Sequence, residues 1–225
     1  MARSSAEMPA RPELNGVGWE HHVHRSAHRC GRVEIRPPRE EDKAPLMAAV
    51  RRSAQHIAPW NHVPDEDNDF WDMLAKSELN TEPVFLVINR ADGGIAGKIT
   101  VYNILRGSSQ TATVGYDAYL PYAGTGRMTE ALRLVVDQCF LAAEGLELHR
   151  LEINIAPDNI RSVALAHRLG FRREGISPRF QRLNGAWRGC VRLALTAEEW
   201  TPLECCDAGP FRRWVSPTPY SAGRT

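Results

Sequence analysis

Leu120-Pro121-Tyr122-Ala123-Gly124-Thr125-Gly126-Arg127-Met128-Thr129-Glu130 is the stretch that decides how this chain is read. A strand-like run, Thr111 to Leu120, precedes it. A run follows in which Met128, Leu132, Val135, Cys139 and Ala142 recur at three and four, the spacing of an amphipathic helix. Strand, glycine turn and helix together leave free backbone N–H groups at a helix start. With the positive end of the helix dipole, such groups suit a phosphate-bearing ligand. Two glycines alone fit an ordinary strand-to-helix turn equally well, so the rest of the chain has to decide.

The composition narrows the classes. At 225 residues, with 43% hydrophobic and 24% charged residues, the chain can bury one sizeable core. A formal net charge of +1 gives no reason to expect direct nucleic-acid binding or an anionic membrane as partner. No apolar run reaches membrane-spanning length, and the N-terminus has no apolar core of a signal peptide. Five scattered cysteines (Cys30, Cys139, Cys190, Cys205, Cys206) without paired metal spacing read as reduced thiols of a cytoplasmic protein. His21, His22, His24 and His28 sit in a polar, unpatterned arm and are read as adventitious, so no metal is expected.

In chain order, residues 1–30 read as a flexible arm, 31–202 as one domain and 203–225 as a flexible tail. Val33 to Arg36 is a short strand closed by Pro37-Pro38. Residues 40–57 form an amphipathic helix with Pro45 in its first turn. A second helix, 65–79, turns Phe70, Trp71 and Leu74 inward; Asp65, Glu66, Asp67 and Asp69 at its start either compensate the dipole or form an acidic lip for an amine. Strands at 83–89, 95–104 and 110–120 follow as an antiparallel meander. Helix 126–143 then crosses over to a parallel strand, 150–155. Helix 159–169, stopped by Gly170, leads to the last strands, with Asn184-Gly185 as a turn.

This order resembles the GNAT superfamily of acyl-CoA-dependent N-acyltransferases over roughly residues 33–200. Ala123-Gly124-Thr125-Gly126-Arg127-Met128 is similar to its pyrophosphate loop. Asn159-Ile160-Arg161-Ser162 with Leu169-Gly170-Phe171 is similar to its second signature. Gly115-Tyr116, Met128 to Leu132, His149 to Glu152, Gly170 to Gly175 and Glu199-Trp200 resemble the ribosomal-protein-alanine (Rim-type) members. The resemblance implies an α+β fold of the broad α/β class. Its mixed, mostly antiparallel sheet of about seven strands is splayed at the central parallel pair and flanked by four or more helices. The chain also departs from the pattern. Ala123 stands where Gln or Arg is usual, Gly189-Cys190 where Asp-His is common, and Ala166 where some relatives carry a general-acid tyrosine. No acidic residue stands near Gln181.

The resemblance further implies acetyl-CoA as co-substrate and direct attack on its thioester by a primary amine, a protein N-terminal α-amine above all. A small amine (aminoglycoside, polyamine or amino acid) and a catalytically weak acyl-CoA-binding module are the alternatives. The assembly is a monomer or a homodimer. Coenzyme contacts are expected from Ala118, Tyr119 and Leu120 as an exposed strand edge, from Ala123, Gly124, Thr125, Gly126, Arg127, Met128 and Thr129 at the loop, and from Asn154, Asn159 and Ser162. Glu152 is the candidate base, against a structural ion pair with Arg150 or Arg173; Ser162 is the candidate donor to the leaving sulfur, against a helix-capping role. Trp60, Trp71 and Tyr116 are the candidate acceptor-side residues.

Overall fold

The computed structural model describes residues 28–64, 67–141 and 145–202. His21, His22, His24, Cys205 and Cys206 lie outside them, as do Asp65, Glu66 and Ala142. The strands are β1 (His28–Cys30), β2 (Val33–Arg36), β3 (Val84–Asn89), β4 (Ile95–Leu105), β5 (Thr111–Ala118), β6 (Arg150–Ile155), β7 (Arg172–Leu183) and β8 (Ala186–Thr196). The helices are α1 (Lys43–Ile57), α2 (Asp67–Glu78), α3 (Arg127–Phe140) and α4 (Ile160–Arg168). β1 occupies residues that the sequence reading assigned to the arm. It brings the sheet to eight strands, ordered β1-β2-β3-β4-β5-β6-β8-β7.

Every pairing is antiparallel except β5 with β6, which α3 connects. That parallel ladder holds only Thr111↔Arg150, Ala112↔Leu151 and Thr113↔Glu152. Beyond it β5 stays with β4 through Ala118, while β6 stays with β8 through Ile155. The two strands therefore splay, and one edge of each is left without a ladder partner.

Strand alternation assigns the faces. On β6, Leu151, Ile153 and Ile155 are buried in the core that includes Met128, Leu132, Val135 and Cys139 of α3, while Arg150, Glu152 and Asn154 face the other way. The second core packs Leu46, Val50 and Ile57 of α1 with Phe70 and Leu74 of α2 over Leu86 and Ile95. Trp71 does not join it: it is 42% exposed, edge-on to Phe70 and under the Lys43 ammonium. Burying two adjacent aromatics of one helix would need both sides of it covered, and α2 is covered on one. Among the described residues no helix is long and apolar enough to cross a membrane.

Candidate active site

A cavity of about 1040 Å³ opens where β5 and β6 part. Val114 to Ala118 of β5 and Ile153 to Ala156 at the end of β6 form its walls, with Ala123, Gly124, Gly126, Met128 and Thr129 at one end. The first turn of α4, carrying Asn159 and Ser162, lines the same space. Across the sheet the cavity continues to His56, Trp60, Asn61 and Tyr102.

The glycine turn is built for its place. Gly124 and Gly126 have φ of +77° and +86°, in the left-handed region that glycine tolerates, and Gly126 is the residue from which α3 departs. The N–H groups of Tyr122, Ala123 and Thr125 are consumed inside the turn. Among the described residues those of Gly124, Gly126, Arg127 and Met128 find no acceptor, and they lie where the helix dipole is positive. The Arg127 side chain is occupied elsewhere. It donates to Asn89 and to the Thr125 hydroxyl, and it stacks over Tyr122 at 5.5 Å.

Only Ala118 of the expected strand edge lines the cavity. The Tyr119 N–H donates to the Ala96 carbonyl and its ring is buried in the second core. The Leu120 N–H is taken by the Ser53 hydroxyl at 2.9 Å. The open edge therefore lies earlier, along Val114 to Ala118. Opposite it, the Asn154 side-chain oxygen is buried with no donor among the described residues, although Asn154 lines the cavity. An orphaned acceptor here and unmatched donors at the turn fit a ligand carrying both amides and phosphates.

Asn159 caps α4: its side-chain oxygen accepts the Ser162 N–H at 3.2 Å, which leaves its amide free to donate. The Ser162 hydroxyl lies 2.7 Å from that of Tyr116. The Tyr116 side chain therefore turns toward α4. Burial pushes its pKa up to about 12, a rise that the Ser162 hydrogen bond partly opposes, so the phenol stays protonated.

Glu152 lies outside the lining. One carboxylate oxygen accepts from Arg150 at 3.0 Å and the other from Arg192 at 2.5 Å. Both oxygens are thus engaged by guanidinium groups, the arrangement of the structural ion pair that was the alternative to a base. His167 points to the Phe171 carbonyl, and neither it nor Trp71 lines the cavity. Trp60 does line the cavity.

Sequence reasoning missed His56 and Asp117. Asp117 follows Gly115 by two in β5, so alternation puts both on one face of the strand, and that signal was available. Its carboxylate accepts from Asn61 at 2.6 Å and sits 3.8 Å from Lys98. Asp69, part of the supposed acidic lip, instead faces His62 at 3.6 Å and does not line the cavity. The β7–β8 turn reaches over to α1, where the Asn184 side-chain amide donates to the Ala58 carbonyl at 2.8 Å.

A family described as acetyltransferase (GNAT) domain matches residues 32–172. The probable N-acetyltransferase YjcK of Bacillus subtilis is 36% identical over 118 residues, 52% of this chain and 64% of that protein. The [ribosomal protein uS5]-alanine N-acetyltransferase of Escherichia coli is 27% identical over 179 residues, 76% of this chain and 91% of that one. The solved structure of Mycobacterium smegmatis RimJ in complex with CoA-disulfide superposes with a TM-score of 0.67 at 30% identity, covering 74% of this chain and 83% of RimJ. With the splayed sheet, the glycine turn and the Asn159–Ser162 cap on one cavity, these matches mean that the chain belongs to the GNAT family of N-acetyltransferases.

Proposed function

We propose that this cavity takes acetyl-CoA and that the enzyme transfers the acetyl group to a primary amine, a protein N-terminal α-amine in the first instance. The observation that carries this reading is the run of unmatched N–H groups at Gly124, Gly126, Arg127 and Met128, at the end of a cleft whose walls are unpaired strand edges. The Escherichia coli relative named as a [ribosomal protein uS5]-alanine N-acetyltransferase, and the CoA-disulfide in the RimJ structure, support it.

The thioester supplies an activated acetyl carbon. In direct transfer the amine nitrogen bonds to that carbon, the C–S bond breaks, the amine loses a proton and the sulfur gains one. The turn N–H groups hold the pyrophosphate, and the free amide of Asn159 together with Asn154 matches the amides of the pantetheine arm. The Ser162 hydroxyl, backed by protonated Tyr116, delivers the proton to sulfur. On the acceptor side Asp117 offers the incoming ammonium a counter-charge. His56 takes the ammonium's proton before attack, imidazole being the commonest general base, and the second proton, lost from nitrogen as the amide forms, replaces through solvent the one that Ser162 gives to sulfur.

A polycationic acceptor fits less well, because Asp117 already has Lys98 beside it. The test is coenzyme release from acetyl-CoA with a panel of peptides and small amines. Release with free N-terminal peptides, and none when the α-amine is blocked, is expected. Release with small amines alone would overturn the peptide assignment, and coenzyme binding without release to any acceptor would mark a binding module.

A further inference from the structure

We infer that Arg32, in the turn between β1 and β2, is a phosphate-binding residue of the coenzyme site and stands in for the long polar side chain that Ala123 lacks. This rests on the coenzyme reading above. Arg32 is 94 residues from Gly126 in sequence, yet its Nη2 lies 3.0 Å from the position a Cβ on Gly126 would take. Its guanidinium is anchored by Glu130, on the first turn of α3. The Arg32 backbone N–H donates to Oε2 at 2.9 Å, while Nε and Nη2 donate to Oε1 at 2.8 Å and 2.5 Å.

A guanidinium carries five N–H donors. The two bonds to Oε1 use two, and among the described residues the other three have no acceptor. The side chain is 53% exposed, so those donors are accessible beside the unmatched N–H groups of the turn. Arg127, the cation that the sequence places closest, also spends two donors, on Asn89 and Thr125, but its guanidinium lies over the Tyr122 ring, whereas Nη2 of Arg32 lies over Gly126 itself. Without Arg32 the Glu130 carboxylate on this turn of α3 would lose its guanidinium partner and repel phosphate. The pair therefore does two things: Glu130 sets the guanidinium over Gly126, and Arg32 cancels a charge that would oppose the ligand.

The test is calorimetric titration of the full chain with CoA and with pantetheine, for wild type, Arg32→Gln and Glu130→Gln. Arg32→Gln should weaken CoA binding roughly fivefold to tenfold, flatten its salt dependence, and leave pantetheine, which has no pyrophosphate, unaffected. Glu130→Gln keeps an oxygen for Arg32 and removes the opposing charge, so it should tighten CoA binding. A purely structural ion pair predicts that both variants weaken CoA alike; that result, or Arg32→Gln binding as wild type does, would overturn the inference. Wild type without affinity for CoA would instead bring down the coenzyme reading itself.

Discussion

Ser162 is held at two points, its N–H by Asn159 and its hydroxyl by Tyr116, and this double anchoring fixes the oxygen that faces the cavity. Ser162→Ala is expected to lower kcat roughly tenfold to a hundredfold in steady-state assays, with little change in KM for acetyl-CoA. In the proposed transfer Tyr116 backs Ser162 only while protonated, and burial moves its ionisation upward, to about 12. Its proton is then retained through pH 10, where an ordinary phenol would be half ionised. The expected outcome is a kcat profile with no Tyr116-dependent loss up to pH 10. A basic limb near 10 that vanishes in Tyr116→Phe would contradict it. The same sign applies to stability, which is independent of this group below pH 10 and falls between 10 and 12. Glu152→Gln should behave as a structural change, with kcat/KM within about threefold of wild type and a melting temperature lower by a few degrees, for a part-exposed pair of about 1 kcal/mol. A pH-dependent collapse of rate would return Glu152 to the chemistry. Asn159 was legible in the sequence because a cap is written in the residue itself and its spacing. For Glu152 the Arg150 partner was one of the alternatives legible in the sequence; the second, Arg192, was not, because alternation gives a face and not the neighbours on it, and Arg192 arrives forty residues later through the β6–β8 register.

At the scale of elements, the turn before α3 was readable because left-handed backbone and close approach select glycine. Gly126→Val should abolish measurable CoA binding while the protein stays folded, since a side chain there is strained by its φ and meets Arg32. Coenzyme affinity equal to wild type would remove the turn from the site. The end of β5 was read two residues too late. Tyr119 and Leu120 continue an apolar run, and nothing local says that Ala96 and Ser53 will consume their N–H groups. Ser53 lies on α1, so that ending is set by tertiary packing and not by propensity. The α4 face shows the same limit. Ile160 shares the spacing of Val163, Ala166 and Leu169, yet it is 74% exposed and lines the cavity. At the first turn of a helix that begins in a cleft, periodicity places a residue on a side but does not supply the core to cover it.

Across the whole molecule, two distant segments meet beside the His56 to Asn61 wall of the cavity, the acceptor side in the proposed function: the end of α1 and the β7–β8 turn, joined by Asn184 and Ala58. Asn184→Asp keeps a residue that accepts the left-handed backbone at that turn, where φ is +49°, but removes the donor. KM for a peptide acceptor should rise about threefold to tenfold with coenzyme affinity unchanged; a parallel loss of both would mean that the turn serves the fold and not the acceptor. The Asn184-Gly185 turn was legible, its landing place was not. The three-pair ladder between β5 and β6 has its own consequence. It makes the sheet two leaves, β1 to β5 and β6 to β8, joined by a short seam and clasped by α3. Amides flanking that seam should exchange hydrogen well before those of β3 and β4, and slow sharply once a coenzyme arm lies along the gap. The acyl donor then acts as a stitch between the leaves, and a catalyst waiting without it is, mechanically, a looser body than the one that turns over.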